Sequence, residues 1–239
     1  MNNCENKTVE GFSIVELMVV LVIISIMGGI TGYYLSSHQK LYKPDDEALQ
    51  IIDILQEARQ RSLTQRETMR VEIDLNDNMV RLIDENTPTT AADDRLIRQM
   101  LLFSANEVDV EQRATNIANN PPETLPVPSA DFKPSIYPTS SSHRVCTLRF
   151  QSNGQVVDAG NSPTGANSAP TGATLHIWSP DPNDATQANI ARAITIIGTT
   201  GSVRLWAYDA ASTNQNKWED SRRSGGYGGN PTPTPLPTP

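Results

Sequence analysis

The sequence predicts an α+β protein in which one long N-terminal helix precedes a mostly antiparallel β-sheet domain. Between Phe12 and Ile30 the only polar residues are Ser13, Glu16 and Ser25. Helical periodicity then resumes and continues to about Gln65. After that point, short segments of alternating polarity are separated by turn residues, which is typical of antiparallel strands. Together these patterns place the helix first and the sheet after it.

The apolar run is long enough to cross a membrane. As a helix it would measure about 28 Å, close to the ~30 Å hydrocarbon core of a bilayer. A secretory signal peptide has a shorter apolar centre, of roughly 7–15 residues, followed by a small-x-small cleavage site. No Ala-x-Ala pattern follows Ile30. We therefore expect the segment to remain in the mature protein as an anchor.

Glu16 is the unusual residue of this segment. A carboxylate well inside hydrocarbon costs about 2.5–3.5 kcal/mol on insertion scales, so such a residue is functional by default. The alternative is a glutamate at the start of the helix, near the interface, where the helix dipole favours it. Ile14 and Val15 precede Glu16 and favour the buried position.

The sequence Gly11-Phe12-Ser13-Ile14-Val15-Glu16-Leu17 resembles the class III signal of type IV pilins and type II secretion pseudopilins. The resemblance implies that a prepilin peptidase cuts between Gly11 and Phe12 and that Phe12 is then N-methylated. It also implies that Glu16 acts in assembly. A buried carboxylate needs a cation, and the Phe12 amine of a neighbouring subunit can supply one.

A small-residue face follows in the same helix, formed by Ser25, Gly28, Gly29 and Gly32. Gly28 and Gly32 have the GxxxG spacing that lets membrane helices pack closely. The alternative is a locally weakened helix, because glycine costs about 1 kcal/mol relative to alanine. The two interpretations are compatible.

Pro44 is predicted to start a second helical stretch, because proline suits a first turn and Asp45, Asp46 and Glu47 suit the dipole. The resemblance implies that this stretch continues the membrane helix and packs on a sheet. Its predicted inner face consists of Ala48, Ile51, Ile52, Leu55, Ala58 and Ser62.

Strands are predicted wherever polarity alternates, and the region 114–142 is predicted to be an extended loop with little to bury. A hairpin is expected around the turn Asn76-Asp77-Asn78. The predicted strands are 69–75, 79–83, 98–103, 108–110, 144–150, 156–157, 174–178, 193–197 and 203–208.

The segments Leu148–Gln155 and Ala193–Arg204 resemble the carboxy-terminal half of the GspH/FimT family, the H-type minor pseudopilins and related minor pilins. The closing hairpin of that family commonly reads Gly-Arg-x-Arg, and some members bind DNA at this edge. Here Ser202 replaces the first arginine, which leaves Arg204 as a possible ligand edge. This substitution counts against DNA binding.

Charge and cysteine content narrow the function classes further. The net charge is −8, and removal of a leader containing Glu5, Lys7 and Glu10 leaves −7. An acidic chain is a poor nucleic-acid binder on bulk electrostatics, so we do not expect DNA as a partner. The leader is not basic, so the orientation in the membrane rests on the resemblance. With Cys4 in the leader, Cys146 stays unpaired and is expected in the core.

No catalytic constellation is evident, so we predict a non-enzymatic protein with no catalytic residues, cofactor or metal. His143 and Cys146 are three residues apart and would point to opposite faces of a strand. His176, between two apolar residues, is expected on a solvent-facing side. Asp181, Asn183 and Asp184 offer oxygen atoms suited to calcium, but Asp-Pro-Asn-Asp is far more often a simple turn.

We therefore expect a minor pseudopilin of a type II secretion system, anchored by one helix in the bacterial inner membrane with its C-terminal domain in the periplasm. The resemblance implies that its partners are prepilin peptidase, other pilin-like subunits, the inner-membrane assembly platform and lipid. The alternatives are a minor type IV pilin acting in pilus assembly or DNA uptake and, more remotely, a membrane-tethered enzyme. The expected organisation is a leader at 1–11, a transmembrane segment at 12–35, an amphipathic continuation of the helix at 36–66, a β-rich domain at 67–220 and a Gly/Pro-rich tail at 221–239. The tail is expected to be disordered, and the alternative is that it serves as a ligand for a partner.

Overall fold

The computed structural model describes six stretches of the chain and divides them into two compact units. The first unit ends at Lys40 and the second begins at Leu41. For residues 33–41 only the backbone is described. The leader and the proline-rich tail therefore lie outside the described residues, which are 13–111, 113–123, 127–135, 143–165, 169–213 and 216–221.

The predicted long helix is present as one element, α1, which spans Ile14–Gln65. Pro44 lies inside it and does not begin a separate stretch as the sequence suggested. Proline has no N–H, so α1 lacks the hydrogen bond to the carbonyl group four residues earlier. The helix stops where Arg66 adopts a left-handed conformation with φ of 60°, a common way to end a helix.

Two antiparallel sheets follow the helix, where the sequence predicted one. The first sheet has the strand order β3-β2-β1-β4-β5, and the second has the order β6-β7-β8-β9. Strand β9 was not predicted, and the expected strand at 108–110 is reduced to a single bridge between Asp109 and Trp178. The strands are β1 (Thr68–Asp74), β2 (Met79–Glu85), β3 (Arg95–Leu101), β4 (Val145–Phe150), β5 (Val156–Val157), β6 (Ala173–Asp181), β7 (Asp184–Ile197), β8 (Ser202–Tyr208) and β9 (Trp218–Asp220).

One hydrophobic core joins the second half of α1 to the inner faces of both sheets. The predicted inner face of the helix is confirmed, with Ile54 as an additional buried residue and Ile52 only partly buried. Cys146 is fully buried and free, as expected for a core residue. The buried strand residues of this core include Val71, Ile73, Leu82, Leu148, Phe150, Leu175, Ile177, Ile194 and Ile196.

The opposite face of the five-stranded sheet is charged and also buried. Alternation in β1 directs Arg70, Glu72 and Asp74 away from the core, and an antiparallel sheet commonly exposes such a face to water. Here all three side chains have no exposed area. Loop segments that flank the strands lie over this face and supply partners for it.

Arg70 and Arg149 hold these covering loops in place. The Arg70 guanidinium is bonded to Glu85 at the end of β2 and to Asp94 in the loop before β3. The Arg149 guanidinium is bonded to the other oxygen of Glu85 and to Asp158, both at 2.6 Å. Glu85 therefore bridges the two arginines. Arg149 also donates to four loop carbonyl groups, those of Ser162 at 3.0 Å, Pro163 at 3.3 Å, Gly165 at 3.3 Å and Pro88 at 3.5 Å.

The network contains more carboxylates than cations. Desolvation by burial raises the pKa of Glu72 to about 7, although the nearby Arg70 charge and the Ser135 hydroxyl oppose the shift. Burial also raises the pKa of Asp94. For Arg149, burial alone would lower the pKa, but its hydrogen bonds to Glu85 and Asp158 raise it. Protons can therefore compensate part of the excess negative charge.

The outer face of the four-stranded sheet is covered as well, by the segment 113–123. Ala114 and Ile117 pack there among three tryptophans. This finding corrects the expectation that the region had little to bury. His176 lies under the same cover with 1% of its surface exposed, so the expectation of a solvent-facing position was wrong. The tryptophans of this second cluster are Trp178, Trp206 and Trp218.

We predict that Arg149→Met lowers the free energy of unfolding by about 3–5 kcal/mol, because Asp158 would stay buried without the Arg149 guanidinium and Glu85 would keep only Arg70. Urea denaturation of the full chain in detergent, followed by tryptophan fluorescence, measures the change. Adding Asp158→Asn to the variant should recover part of the loss, because it removes the buried charge that Arg149 compensated.

The matched control is Arg59→Met. Arg59 is partly exposed and makes one side-chain hydrogen bond, to the Thr200 carbonyl group at 3.2 Å. Its loss should cost no more than about 1 kcal/mol. Equal effects of the two variants would contradict a supporting role for the buried network.

Candidate functional site

The N-terminal part of α1 is an apolar surface that nothing else in the described chain covers. One candidate membrane span, Ile14–Gly32, has a mean hydropathy of 2.5, and none of it is buried. Its large side chains are exposed, between 47% for Val20 and 81% for Ile14. Such a surface is stable only against lipid or other apolar helices. By length and composition the segment is thus consistent with a membrane anchor.

Glu16 lies in the first described turn of this helix. Ser13 precedes the helix, and its hydroxyl accepts a hydrogen bond from the Val15 N–H at 3.3 Å. Ser13 and Glu16 thus have the spacing of a capping box, in which a glutamate at the third helical position supports the helix start. Glu16 is exposed, and no cation among the described residues contacts it. This geometry suits a helix-start residue and equally leaves the carboxylate available to another chain.

Gly28 and Gly32 face open space in the monomer. A Cβ atom at either position would meet nothing within 4 Å. No contact inside the chain therefore requires glycine there. Close packing against a neighbouring helix stays a prediction, as does the processing site, because Gly11 and Phe12 lie outside the described residues.

Arg204, which the sequence suggested as part of a ligand-binding edge, forms an ion pair within the chain. Its guanidinium donates to Glu123 Oε2 at 2.9 Å, and the Glu123 side chain is 2% exposed. The other Glu123 oxygen accepts the Thr195 hydroxyl. Arg204 thereby fastens the segment that covers the four-stranded sheet, with 35% of its side chain still exposed. A ligand role for this arginine stays a proposal.

One group of candidate metal ligands occurs among the described residues, and the guanidinium of Arg81 already pairs with two of its carboxylates. Ligand-type atoms of Asp74, Asp77 and His143 lie within 4.8 Å of one another. The Arg81 guanidinium donates to Asp74 at 2.8 Å and also contacts Asp77. Burial raises the pKa of Asp74, and its bonds with His143, Arg81 and two backbone N–H groups lower it by more. The charged side chains of this group are paired with one another, so the arrangement supports no metal assignment.

The acidic turn between β6 and β7 is organised by its own hydrogen bonds. Asp181 accepts the Asn183 N–H at 2.7 Å, and Asp184 accepts the Thr186 N–H at 3.0 Å. These are the local bonds of turns formed by aspartate. They neither support nor oppose the calcium alternative.

Glu47 is a buried acid that sequence reasoning assigned only to the helix start. Its side chain lies under the segment after β3, where Oε2 accepts the Phe103 N–H at 2.8 Å and Oε1 has no hydrogen-bond partner. Desolvation by burial raises its pKa to about 7, the Phe103 N–H opposes the shift, and the charge of Glu107 adds to it. Lys43 pairs with Glu107 beside it. Glu47 therefore holds or releases a proton near neutral pH.

The fold and the exposed helix define a class of protein, an α+β domain that follows one apolar helix long enough to span a membrane. The comparison with protein families agrees with this class. Residues 6–32 match the model of the prokaryotic N-terminal methylation motif. The match indicates a type IV pilin-like or pseudopilin precursor, a substrate of prepilin peptidase that assembles with other pilins. No curated protein and no solved structure matches the chain.

We predict that Glu47 makes the folded protein less stable as pH rises. Its pKa is about 7 when folded and 4.5 as a free side chain, so the stabilisation is complete below about pH 4.5 and is lost as pH rises to about 7. The shift corresponds to about 3 kcal/mol. Glu47→Gln, which keeps the acceptor for the Phe103 N–H, should flatten this part of the stability profile.

Urea midpoints between pH 4 and 8 test the prediction. Glu67→Gln is the control, because Glu67 is exposed just after the helix. If wild type and Glu47→Gln have parallel profiles, Glu47 does not titrate in this range.

Proposed function

We propose that the chain is a minor pseudopilin of a type II secretion system, a structural subunit that assembles into a short periplasmic filament. The observation that carries the proposal is the methylation motif at residues 6–32, together with a single glutamate in an exposed, otherwise apolar helix. The segments 148–155 and 193–204, which resemble the H-type minor pseudopilins, support the finer assignment. They contain the end of β4, the end of β7 and the start of β8, together with the adjoining turns.

Maturation requires the new N-terminus to be made before assembly. In this proposal, prepilin peptidase cuts between Gly11 and Phe12 and leaves Glu16 four residues from the Phe12 amine. The helix holds these two groups of one chain about a turn apart, so the pairing is poor within a subunit. The amine of the adjacent subunit can reach Glu16 at one axial register only. A costly charge in lipid then becomes a device that fixes subunit spacing.

We expect the mature chain purified from its native membrane to start at Phe12. Intact mass and N-terminal sequencing decide this point, and N-methylation adds one methyl group to the mass. A mature chain that still carries Cys4, or one that starts after Ile30, would contradict the processing site.

We expect Glu16→Ala and Glu16→Gln to retain cleavage, membrane insertion and the folded domain, and to reduce recruitment of the subunit into the filament. Co-purification with neighbouring pilin-like subunits and a secretion assay measure the effect. Glutamine is the informative substitution, because a capping box accepts glutamine as well as glutamate. A helix-start role predicts that Glu16→Gln behaves as wild type, whereas a role of the charge predicts that it behaves like Glu16→Ala.

The minor type IV pilin remains the second assignment of the same subunit class, and the genes beside this one distinguish the two. A secretion ATPase and an outer-membrane secretin favour secretion, whereas competence genes favour DNA uptake. The pairing of Arg204 with Glu123 and the net charge of −8 both weigh against DNA as a ligand.

A further inference from the structure

Strand β3 is the outer strand of the five-stranded sheet, and among the described residues it pairs only with β2. The other edges are short or covered. At β5, Val156 donates to Gly198 and accepts from Thr171. At β6, Trp178 exchanges two backbone hydrogen bonds with Asp109. Strand β9 has three residues, whereas β3 has seven.

The free edge of β3 offers both backbone donors and acceptors. Leu102 N–H donates to the Asn78 carbonyl group at 2.8 Å, next to the pairs Leu101–Met79 and Met100–Val80. Antiparallel ladders alternate, so Met100 points its backbone groups towards β2 while Gln99 and Leu101 point theirs away. An unpaired row of this kind is a template for a further strand.

The side chains along this edge are unusually apolar for an exposed strand. Leu101 is 72% exposed and Leu96 is 40% exposed, and they are the only large hydrophobic side chains at least 40% exposed on any described strand. At the other end, the Arg95 side chain is 73% exposed, and its nearest carboxylate, Asp84, is 3.8 Å away. Leu101 thus makes one end of the edge apolar, whereas Arg95, beside Leu96, makes the other end cationic.

The side chains of β3 alternate between the two faces of the sheet. Arg98 lies opposite Leu82 on the core face, where it donates to Asp53 of α1 at 2.8 Å and to Glu57 at 2.9 Å. Leu101 lies opposite Met79 and projects from the other face, away from α1. Arg98 therefore fixes β3 to the helix and leaves the outer edge of the strand open among the described residues.

We propose that β3 is a docking edge for an extended segment of a neighbouring pilin-like subunit, which adds to the five-stranded sheet as a sixth strand. This inference rests on the proposed function. Main-chain hydrogen bonds to Gln99 and Leu101 supply the affinity in this type of recognition, and side chains supply the specificity. The strand that fits carries an apolar residue opposite Leu101 and an acidic residue near Arg95.

A neighbouring subunit is favoured over a second copy of this chain. Pairing of β3 with itself would place Arg95 and Arg98 of both copies on one short ribbon, and like charges on paired strands are destabilising. It would also join two copies of a chain with a net charge of −8. Subunits anchored in the same membrane by similar helices are, in contrast, held alongside this domain at high local concentration.

The test is photo-cross-linking of the full chain in its native membrane. A p-benzoylphenylalanine at position 101 reports on the edge, and one at position 21 reports on the anchor helix. Position 63 is the control, because Leu63 is 40% exposed at the far end of α1. Mass spectrometry identifies the partner and the cross-linked peptide.

Gln99→Pro and Gln99→Ala are then added to the position-101 protein. Proline removes the outward N–H of Gln99 and leaves the hydrogen bonds to β2 in place, whereas alanine keeps every backbone group. Unchanged urea midpoints show that both variants fold.

The proposal expects position 101, but not position 63, to cross-link to a strand of a protein that itself carries a methylation motif. It expects the cross-link to persist in Gln99→Ala and to be lost in Gln99→Pro. No cross-link, persistence in Gln99→Pro, or cross-links to a second copy, to residues 222–239 or to an unrelated protein would overturn it. Cross-links to pilin-like partners at position 21 but not at position 101 would contradict the docking edge and leave the proposed function standing. Absence of pilin-like partners at both positions would count against the proposed function as well.

Discussion

The five-stranded sheet depends on the bridge that Glu85 makes between Arg70 and Arg149. A buried carboxylate without a cation costs several kcal/mol, and a guanidinium can bond to carboxylates and to carbonyl groups at the same time. Arg149 uses both kinds of partner, with Glu85 and Asp158 on one side and loop carbonyl groups on the other. Ion pairs and hydrogen bonds to loop carbonyl groups therefore hold the loops that cover the sheet. We infer that this network specifies where the loops lie.

The loop segment that covers the four-stranded sheet is held by different contacts. Its cover is held by Glu123, which bonds to Thr195 and Arg204, and by the hydrogen bond from the Trp218 indole N–H to the Asn119 carbonyl group at 2.7 Å. Aromatic side chains supply the apolar contact beneath it. Among the described residues the outer faces of β1, β4 and β6 are covered, whereas β3 is exposed along most of its length. Its long open edge is therefore a surface that a partner can use.

The anchor helix presents the opposite situation. Its apolar side chains are exposed, and neither Glu16 nor the glycine positions have partners in the described chain. The apolar surface and the two glycine positions are therefore explained by contact with another molecule, such as lipid or a neighbouring subunit, whereas Glu16 also suits the start of the helix. The methylation motif is the independent observation that identifies the kind of molecule involved.

Local patterns in the sequence were enough to predict the elements that depend on local chemistry. The apolar run, the periodicity of α1 and the alternation in β1, β2, β4 and β8 each follow from the spacing at which side chains meet the core. The class III signal was readable for the same reason, because its residues are adjacent in the chain. Strand β9 was missed because three residues carry no period.

Tertiary structure alone decided which polar residues are buried. Alternation in β1 assigns Arg70 and Glu72 to one face, but it does not say whether water or a loop covers that face. The answer depends on partners such as Glu85, Asp94 and Arg149, which lie 15–79 residues from Arg70 in the chain. The same holds for His176, whose apolar neighbours in the strand gave no sign of the segment 113–123 above it. Burial of a polar side chain is a property of contacts between distant segments, so the sequence determined the elements and the anchor, and the fold determined which charges are enclosed.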